Sequence, residues 1–273
     1  MIANNYLMEH AEEIARLEKK TDADVVRRQA SWAGLRSGMR VADIGCGSGK
    51  TTHVLFEMVQ PGGRAVGFDF SDQRIAYALQ KYSRPGLEFA RCNVTEDMTA
   101  FGAFDFVWVR FVLEYHRSQA FRIVQNLSRI IKPGGTLCLI DLDYNCLSHF
   151  GMPDRLANAL CGFMRKLEQD ADFDPHVGIK LYSFLYDLGF EAIQVTLNPH
   201  HLIYGELNEM DAFNWTRKVE VAVKRSGYTF DEYSGGYEEF FEEFQRYFSH
   251  PRRFTYTPVI ACRGRKPYPA NTH

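Results

Sequence analysis

The feature that most constrains the fold is a regular alternation of short apolar runs and helical segments, which begins near Met39. The turns Pro61-Gly62-Gly63 and Pro133-Gly134-Gly135 each end a helical segment and lead into an apolar run. Such alternation predicts an α/β fold, in which crossover helices connect strands of a mostly parallel sheet. Strands are predicted at 40–44, 64–68, 87–91, 104–109, 136–140, 192–197 and 257–263, and helices at 50–59, 71–81, 118–131 and 176–188.

The two ends of the chain and one internal segment differ from this alternating core. Residues 1–36 are predicted to form two helices outside the sheet, the second of which opens at a capping box that begins at Thr21. The core is assigned to 37–200 and 251–265, and 201–250 is an aromatic-rich insertion. We expect the insertion and the N-terminal helices to form a lid. Six aromatic residues of the insertion share one helix face, which is expected mainly to be a packing surface; the alternatives are that some of them line an acceptor pocket or form a partner contact. They are Tyr237, Phe240, Phe241, Phe244, Tyr247 and Phe248.

Composition excludes several classes of protein. The chain has 273 residues with 32 basic and 34 acidic side chains and no block of like charge, so neither nucleic acid nor an anionic membrane is an expected partner. No signal peptide or long apolar segment is recognisable, which predicts a soluble, cytoplasmic protein. The 6 cysteines are scattered without a C-x-x-C pair, which argues against a zinc site or a disulfide framework.

A glycine-rich loop follows the first predicted strand. Residues 41–49 read Val-Ala-Asp-Ile-Gly-Cys-Gly-Ser-Gly, and such a loop lets a ligand approach backbone amides at a helix start. The dinucleotide pattern G-x-G-x-x-G fails because its third glycine would be Lys50. The nucleotide-binding P-loop fails at one position, because its first glycine would be Ile44, although Gly49-Lys50-Thr51 supplies its end. A P-loop nucleotide hydrolase therefore remains an alternative.

The loop fits the pattern acid-x-G-x-G-x-G, and in this the chain resembles class I S-adenosylmethionine-dependent methyltransferases, especially the quinone-biosynthesis C-methyltransferases. The resemblance covers about residues 37 to 145. It implies a Rossmann-like three-layer sandwich with a seven-stranded, mostly parallel sheet, an antiparallel last strand and helical lid elements. It also implies S-adenosylmethionine as the cofactor and S-adenosylhomocysteine as the product. The loop would wrap the methionine part of the cofactor through Asp43, Gly45, Gly47 and Gly49.

Two further strand ends carry polar residues suited to this cofactor. Asp69 ends the second strand, where a carboxylate can accept both ribose hydroxyl protons, although a helix cap is the structural alternative. Asn93 follows the third strand, where relatives have an aspartate that accepts the adenine amino group, and a turn asparagine is its alternative. The expected cofactor-binding residues are thus Tyr6, Asp43, Gly45, Cys46, Gly47, Gly49, Asp69, Phe70, Asn93, Val94 and Arg110.

The acceptor is expected beyond the fourth strand, near residues 110–116. His116 is the candidate general base, and capping or packing is its alternative. Asp141, Asp143 and the pair His200-His201 are candidates for binding an acceptor or a metal, but none has a metal-ligand spacing, so no metal is predicted. The motif of DNA amino-methyltransferases is absent from 110–116, which disfavours nucleic-acid bases.

The sequence thus predicts methyl transfer to a small, partly apolar or aromatic molecule. A protein that binds S-adenosylmethionine without turnover is an alternative. The acceptor atom and the oligomeric state do not follow from these patterns.

Overall fold

The fold is known from a computed structural model that describes residues 13–145 and 147–269. Tyr6 and Cys146 lie outside the described residues. The strands are β1 Arg40–Ile44, β2 Arg64–Asp69, β3 Leu87–Arg91, β4 Phe104–Arg110, β5 Ile131–Leu142, β6 His149–Phe150, β7 Glu191–Tyr204 and β8 Phe254–Arg265. The helices are α1 Glu13–Lys20, α2 Ala23–Ala33, α3 Lys50–Met58, α4 Asp72–Tyr82, α5 Ala120–Arg129, α6 Asp154–Asp170, α7 Leu181–Asp187, α8 Glu209–Ser226 and α9 Gly236–Ser249.

Within the described residues the strands form one sheet of eight, in the order β3-β2-β1-β4-β5-β8-β6, with β7 paired to β8. The pairs β1–β2, β1–β4, β2–β3 and β4–β5 are parallel, and β8 is antiparallel to β5, β6 and β7. The expected Rossmann-like α/β class with an antiparallel last strand is confirmed. Seven strands were expected, and the eighth is the two-residue strand β6.

Helices cover both faces of the sheet because the central strands are apolar on both sides. Trp108 and Val109 of β4 are both completely buried although they point to opposite faces. One face packs against α2, α3 and α4, and the other packs against α5 and α7. This arrangement places the carboxyl ends of the parallel strands at one edge, where ligands bind in open α/β sheets.

The last strands are longer than the sequence predicted. β7 extends to Tyr204 and β8 begins at Phe254, and the two pair from Glu191↔Arg265 to Tyr204↔Phe254. The residues by which the two strands exceed the predicted ranges pair with each other, although they are far apart in the sequence. The local alternation of apolar and polar residues does not reveal such a pairing. The predicted helix 176–188 is also different, because Val177–Lys180 forms a 3₁₀ turn before α7.

A separate apolar cluster joins α6, α8 and α9. Phe240, Phe244 and Phe248 of the aromatic stripe are almost completely buried in it, against Phe163 of α6 and Trp215 of α8. The stripe is therefore a packing surface, as expected, and none of its residues lines the cavity described below. Among the described residues, no helix combines the length and the apolarity needed to cross a lipid bilayer.

Candidate functional site

A cavity of about 470 Å³ lies at the carboxyl ends of β1, β2 and β4. Its size is typical of sites for small molecules and cofactors. The cavity brings together most of the residues singled out from the sequence, although they come from distant parts of the chain. Those on its wall are Gly45, Cys46, Gly47, Asp69, Phe70, Asn93, Val94, Arg110, His116, His200 and His201.

The glycine loop needs its glycines for two reasons. Gly45, Gly47 and Gly49 have φ values of 71°, 55° and 88°, a region that other residues rarely adopt. Gly45 also lies so close to Val112 that an added Cβ would be 2.4 Å from Cγ2 of that valine. The loop leads directly into α3, whose N-terminus directs a positive dipole end toward the loop.

Asp69 is buried at the end of β2 and accepts hydrogen bonds from three donors. The backbone N–H of Gly47 donates to Oδ2 at 2.9 Å, while Oδ1 accepts from the N–H of Ser71 and from Nε of Arg74, each at 2.9 Å. The side-chain cap of α4 is Ser71, so Asp69 is not the helix cap. Its Oδ2 accepts one of these bonds and keeps capacity for another donor.

Asn93 forms a turn. Its side-chain oxygen accepts hydrogen bonds from the backbone N–H and the hydroxyl of Thr95, at 3.1 and 2.8 Å, and its amide donates to Glu96. This is the structural alternative raised above, and a ligand amino group would have to compete for the same oxygen. Near Asn93 on the cavity wall, the ring of Phe70 is partly exposed beneath the guanidinium of Arg91.

Two residues expected at the cofactor are not on the cavity wall. Asp43 lies behind the loop, where its carboxylate accepts a hydrogen bond from the Thr52 hydroxyl at 2.6 Å. Burial raises the pKa of Asp43 to about 7. Gly49 is likewise covered, since an added Cβ would lie 2.8 Å from Cβ of Ala78. Asp43 thus joins the end of β1 to α3 and supports the loop from below.

Helix α1 lies over the glycine loop. An added Cβ on Gly47 would be 3.0 Å from Cδ1 of Leu17. The carboxylate of Glu18 accepts hydrogen bonds from Lys81 at 2.5 Å and from the Tyr82 hydroxyl at 2.9 Å, and Lys50 donates to its backbone carbonyl at 2.7 Å. These contacts hold α1 against α3 and α4 at the cavity entrance.

We expect Glu18→Gln to loosen α1. Burial alone would raise the pKa of Glu18, but hydrogen bonds from Lys81, Ser48 and Tyr82 outweigh it and lower that pKa. A lowered pKa means that the Glu18 carboxylate stabilises the docking of α1 at pH values above its ordinary pKa of 4.5. This contribution is lost as the pH falls through the lowered pKa. Amide hydrogen exchange of residues 13–20 at pH 7 should be several-fold faster in the variant.

The matched control for this change is Glu57→Gln. Glu57 pairs with Arg27 on the exposed surface, so its replacement should leave the exchange of α1 unchanged. Equal protection of α1 in Glu18→Gln and in the unmodified chain would contradict the anchoring role.

The loop after β4 is fixed by Asp141. This buried carboxylate accepts backbone N–H bonds from Leu113 at 3.0 Å and Glu114 at 3.3 Å, in the 3₁₀ turn Leu113–Tyr115, and from Leu142 at 3.0 Å. Asp143 instead faces Nδ1 of His176 at 3.2 Å. Within 13–145 and 147–269 no group of three His, Cys, Asp or Glu side chains is arranged to hold a metal.

Arg110 and His116 frame the inner part of the cavity. Nε of Arg110 donates a hydrogen bond to the side-chain oxygen of Gln29 at 3.2 Å. Burial lowers the pKa of Arg110 to about 10, and the guanidinium is still charged at neutral pH. Burial lowers the pKa of His116, so its imidazole is neutral there. Burial also raises the pKa of the Cys46 thiol well above its ordinary value, which leaves it protonated.

Several cavity residues had not been singled out from the sequence as site residues. They come from the end of α1, the turn after β4, the loop after β5 and the helix α8. Two signals pointed to some of them: Glu114 lies within the segment expected near the acceptor, and four others lie in the N-terminal helices or the aromatic-rich insertion expected to form a lid. They are Lys20, Glu114, Asn145, Phe213, Trp215 and Lys218.

Comparison with known proteins identifies the family. The family model described as a methyltransferase domain matches residues 35–175, and the chain belongs to this family. The demethylmenaquinone methyltransferase of Lactococcus lactis subsp. lactis (strain IL1403) is 28% identical over 114 residues, which are 41% of this chain and 45% of that protein. The chain thus spans about half the length of the curated relatives it matches.

Solved structures agree with the fold. A Haemonchus contortus phosphoethanolamine N-methyltransferase 2 in complex with S-adenosyl-L-methionine superposes with a TM-score of 0.60 at 14% identity, over 98% of this chain and 61% of that one. The [4+2]-cyclase SpnF superposes with a TM-score of 0.54 at 18% identity, over 90% of this chain and 82% of that one. One architecture therefore accompanies more than one reaction, and the chemistry has to be argued from the site.

Proposed function

We propose that this chain is an S-adenosylmethionine-dependent methyltransferase whose acceptor is a small, partly apolar or aromatic molecule and whose product from the cofactor is S-adenosylhomocysteine. The observation that carries the proposal is the glycine loop at the end of β1 beside the buried carboxylate of Asp69 at the end of β2. Family membership, the fold and a cavity of suitable size support it.

The cavity suits each part of the cofactor. Gly45, Cys46 and Gly47 would hold its methionine part, and Arg110 is a cation suited to the carboxylate of that part. Asp69, through Oδ2, would accept a ribose hydroxyl proton. The expectation for Tyr6 stays a prediction. The adenine would lie against Phe70 and Val94 with its edge toward Asn93.

The chain's own residues would mainly align the acceptor, exclude water and accept a proton. When bound, the cofactor would supply an electrophilic methyl group: the methyl carbon would bond to the acceptor atom, the electron pair of its bond to sulfur would stay on sulfur, and a proton of the acceptor would pass to a base. Alignment in a closed cavity can supply most of the rate enhancement of such a displacement. Residues of helices α1 and α8 line the cavity, and we propose that these helices serve as its lid.

Calorimetry with S-adenosylmethionine, S-adenosylhomocysteine, NAD and ATP with magnesium tests the proposal. We expect binding of the first two only. A response to ATP alone would revive the P-loop hydrolase. Cofactor binding without S-adenosylhomocysteine formation on a panel of small aromatic acceptors would favour a binding protein without turnover. That nucleic acid is not the acceptor and that the protein works in the cytoplasm both stay predictions.

His116 is the candidate base, and His116→Gln should lower turnover about 10²- to 10⁴-fold with cofactor affinity unchanged. Because burial lowers the pKa of His116, the neutral base persists to pH values below about 6.5, the ordinary value. Turnover should therefore be flat above neutral pH and fall only in acid. The control is His250→Gln, on the exposed loop after α9. Equal turnover of the two variants would mean that His116 contributes only packing and is not the base.

A further inference from the structure

One face of the last two strands carries only uncharged side chains. This is the face on which α7 packs, since Cys262 of β8 belongs to the same apolar core as Leu181 and Leu185 of α7. Alternate residues of a strand point to the same face. Five cross-strand pairs therefore lie on this side, and none of their members is charged: Val195↔Cys262, Leu197↔Ile260, Pro199↔Pro258, Leu202↔Tyr256 and Tyr204↔Phe254.

Helix α7 leaves much of this face exposed. Phe150 of β6 extends the face, because it pairs with Phe254. Tyr182 and Tyr186 of α7 border it, because they stack on the side of the helix opposite to Phe184, which contacts α5. We refer to nine of these side chains, which are 41–66% exposed, as the apolar face: Phe150, Tyr182, Tyr186, Val195, Leu197, Leu202, Tyr204, Phe254 and Tyr256.

The area of the apolar face is that of a stable interface. An aromatic side chain presents about 150–250 Å² when fully accessible, so nine large side chains that are about half exposed present on the order of 800 Å². The largest apolar patch on a typical monomer is about 300–600 Å². A protein interface of standard size buries about 800 Å² on each partner. The apolar face is thus larger than expected for a monomer and matches one side of such an interface.

The outer edge of β7 is poorly suited to extending the sheet into a partner. Within the described residues β7 pairs only with β8. Pro199 has no backbone N–H to donate, and the register of β7 shifts between Glu191 and Gln194 and again between Pro199 and His201. Prolines and bulges are features by which proteins block edge-to-edge pairing of strands. A partner would therefore pack on the apolar face instead of pairing with the edge.

The composition of the apolar face favours a second copy of this chain as the partner. Interfaces between identical chains are more apolar than those of transient complexes, and their buried centres are depleted in charged residues. With no charged side chain on the face, a two-fold axis that sets it against itself brings no like charges together. A face that binds a lipid surface is normally accompanied by lysine or arginine, and β7 contains neither.

We propose that the chain forms a two-fold symmetric dimer in which the apolar face of one copy packs against the apolar face of the other. Each copy then covers the side chains that α7 leaves exposed in its partner. No residue of the face lines the cavity, so the dimer does not depend on the proposed methyl transfer.

Sedimentation equilibrium of the full chain over a dilution series tests the proposal. At about 10 μM the chain should have twice the mass of one copy, because interfaces of this size have dissociation constants of micromolar or below. Leu197→Glu places one carboxylate from each copy in the apolar interface and should raise the dissociation constant at least about 100-fold. Leu197 is 63% exposed in a single copy, so the variant should fold. Tyr204→Glu, at 65% exposure, repeats the measurement at another position of the face.

Leu79→Glu is the matched control. Leu79 is 44% exposed on α4, which packs near β3 at the other edge of the sheet, and its replacement should leave the dissociation constant unchanged. An unmodified chain that is monomeric at about 10 μM would overturn the proposal. In that case, lower stability of Leu197→Glu in urea would assign the face to another segment of the same chain, and binding to phosphatidylcholine vesicles would assign it to a lipid surface. A dimer that neither Leu197→Glu nor Tyr204→Glu weakens, or that Leu79→Glu weakens equally, would also overturn the proposal.

Discussion

Replacing Asp69 with asparagine is expected to weaken S-adenosylhomocysteine binding by about 10- to 100-fold and to destabilise the folded chain by about 3 to 5 kcal/mol. The side chains of Asp69 and Arg74 are 7% and 8% exposed and pair at 2.9 Å, so the change removes a charged partner from a buried guanidinium. It also removes the charged acceptor proposed for the ribose hydroxyls. Urea unfolding would measure the stability, and calorimetry below the unfolding transition would measure the affinity.

Asp170→Asn is the control for this experiment. Asp170 pairs with Lys166 on the surface of α6, with half of its side chain exposed, so neither stability nor cofactor affinity should change appreciably. A folded Asp69→Asn variant with unchanged affinity would refute the ribose assignment. Unchanged stability would show that the pair with Arg74 contributes little.

The second large effect is expected from Gly45→Ala. At a φ of 71° an alanine is strained by about 1 to 2 kcal/mol, and its Cβ would lie 2.4 Å from Cγ2 of Val112, which adds an overpacking cost of about 1 to 3 kcal/mol. The valine belongs to the cavity wall, so relief of the clash should also displace the loop. We expect a loss of about 2 to 5 kcal/mol in urea unfolding and no S-adenosylhomocysteine binding measurable by calorimetry.

Gly189→Ala separates the two causes. Gly189 has a φ of 72°, and an added Cβ there meets no atom within 4 Å, so the backbone strain is matched and the clash is absent. It should cost only about 1 to 2 kcal/mol and leave cofactor binding intact. Equal destabilisation by both substitutions would show that the approach of Val112 to the loop is unimportant.

The parallel half of the fold could be predicted because its signals are local. β1 and β3 end where the apolar runs ended. The start of α2 was predicted to within one residue: its cap is Asp22, whose side chain accepts N–H bonds from Asp24 and Val25, whereas the Thr21 hydroxyl donates to the carbonyl of Leu17. The antiparallel half was predicted less accurately than the parallel half. β7 and β8 gain their full length by pairing with each other, and the cluster of α6, α8 and α9 depends on contacts between segments far apart in the sequence.

The candidate site divides in the same way. Gly45 and Asp69 were found because a tight turn with positive φ requires glycine, and because a strand end fixes where a carboxylate lies. The role of Asn93 could not be decided, since whether its oxygen faces Thr95 or a ligand depends on the side-chain rotamer. The pair of Asp69 with Arg74 was likewise not predicted, although the two are only five residues apart in the sequence.

The sequence by itself determined the class of fold, the family resemblance and the position of the glycine loop, because these depend on periodicity and on backbone constraints that neighbouring residues impose. The tertiary structure decided what faces the loop. Lys20, His200 and Lys218 belong to α1, β7 and α8. The two lysines look ordinary within their own segments, and His200 was a candidate whose neighbours the sequence did not indicate. Their shared cavity exists only because the folded sheet brings these three elements to one edge.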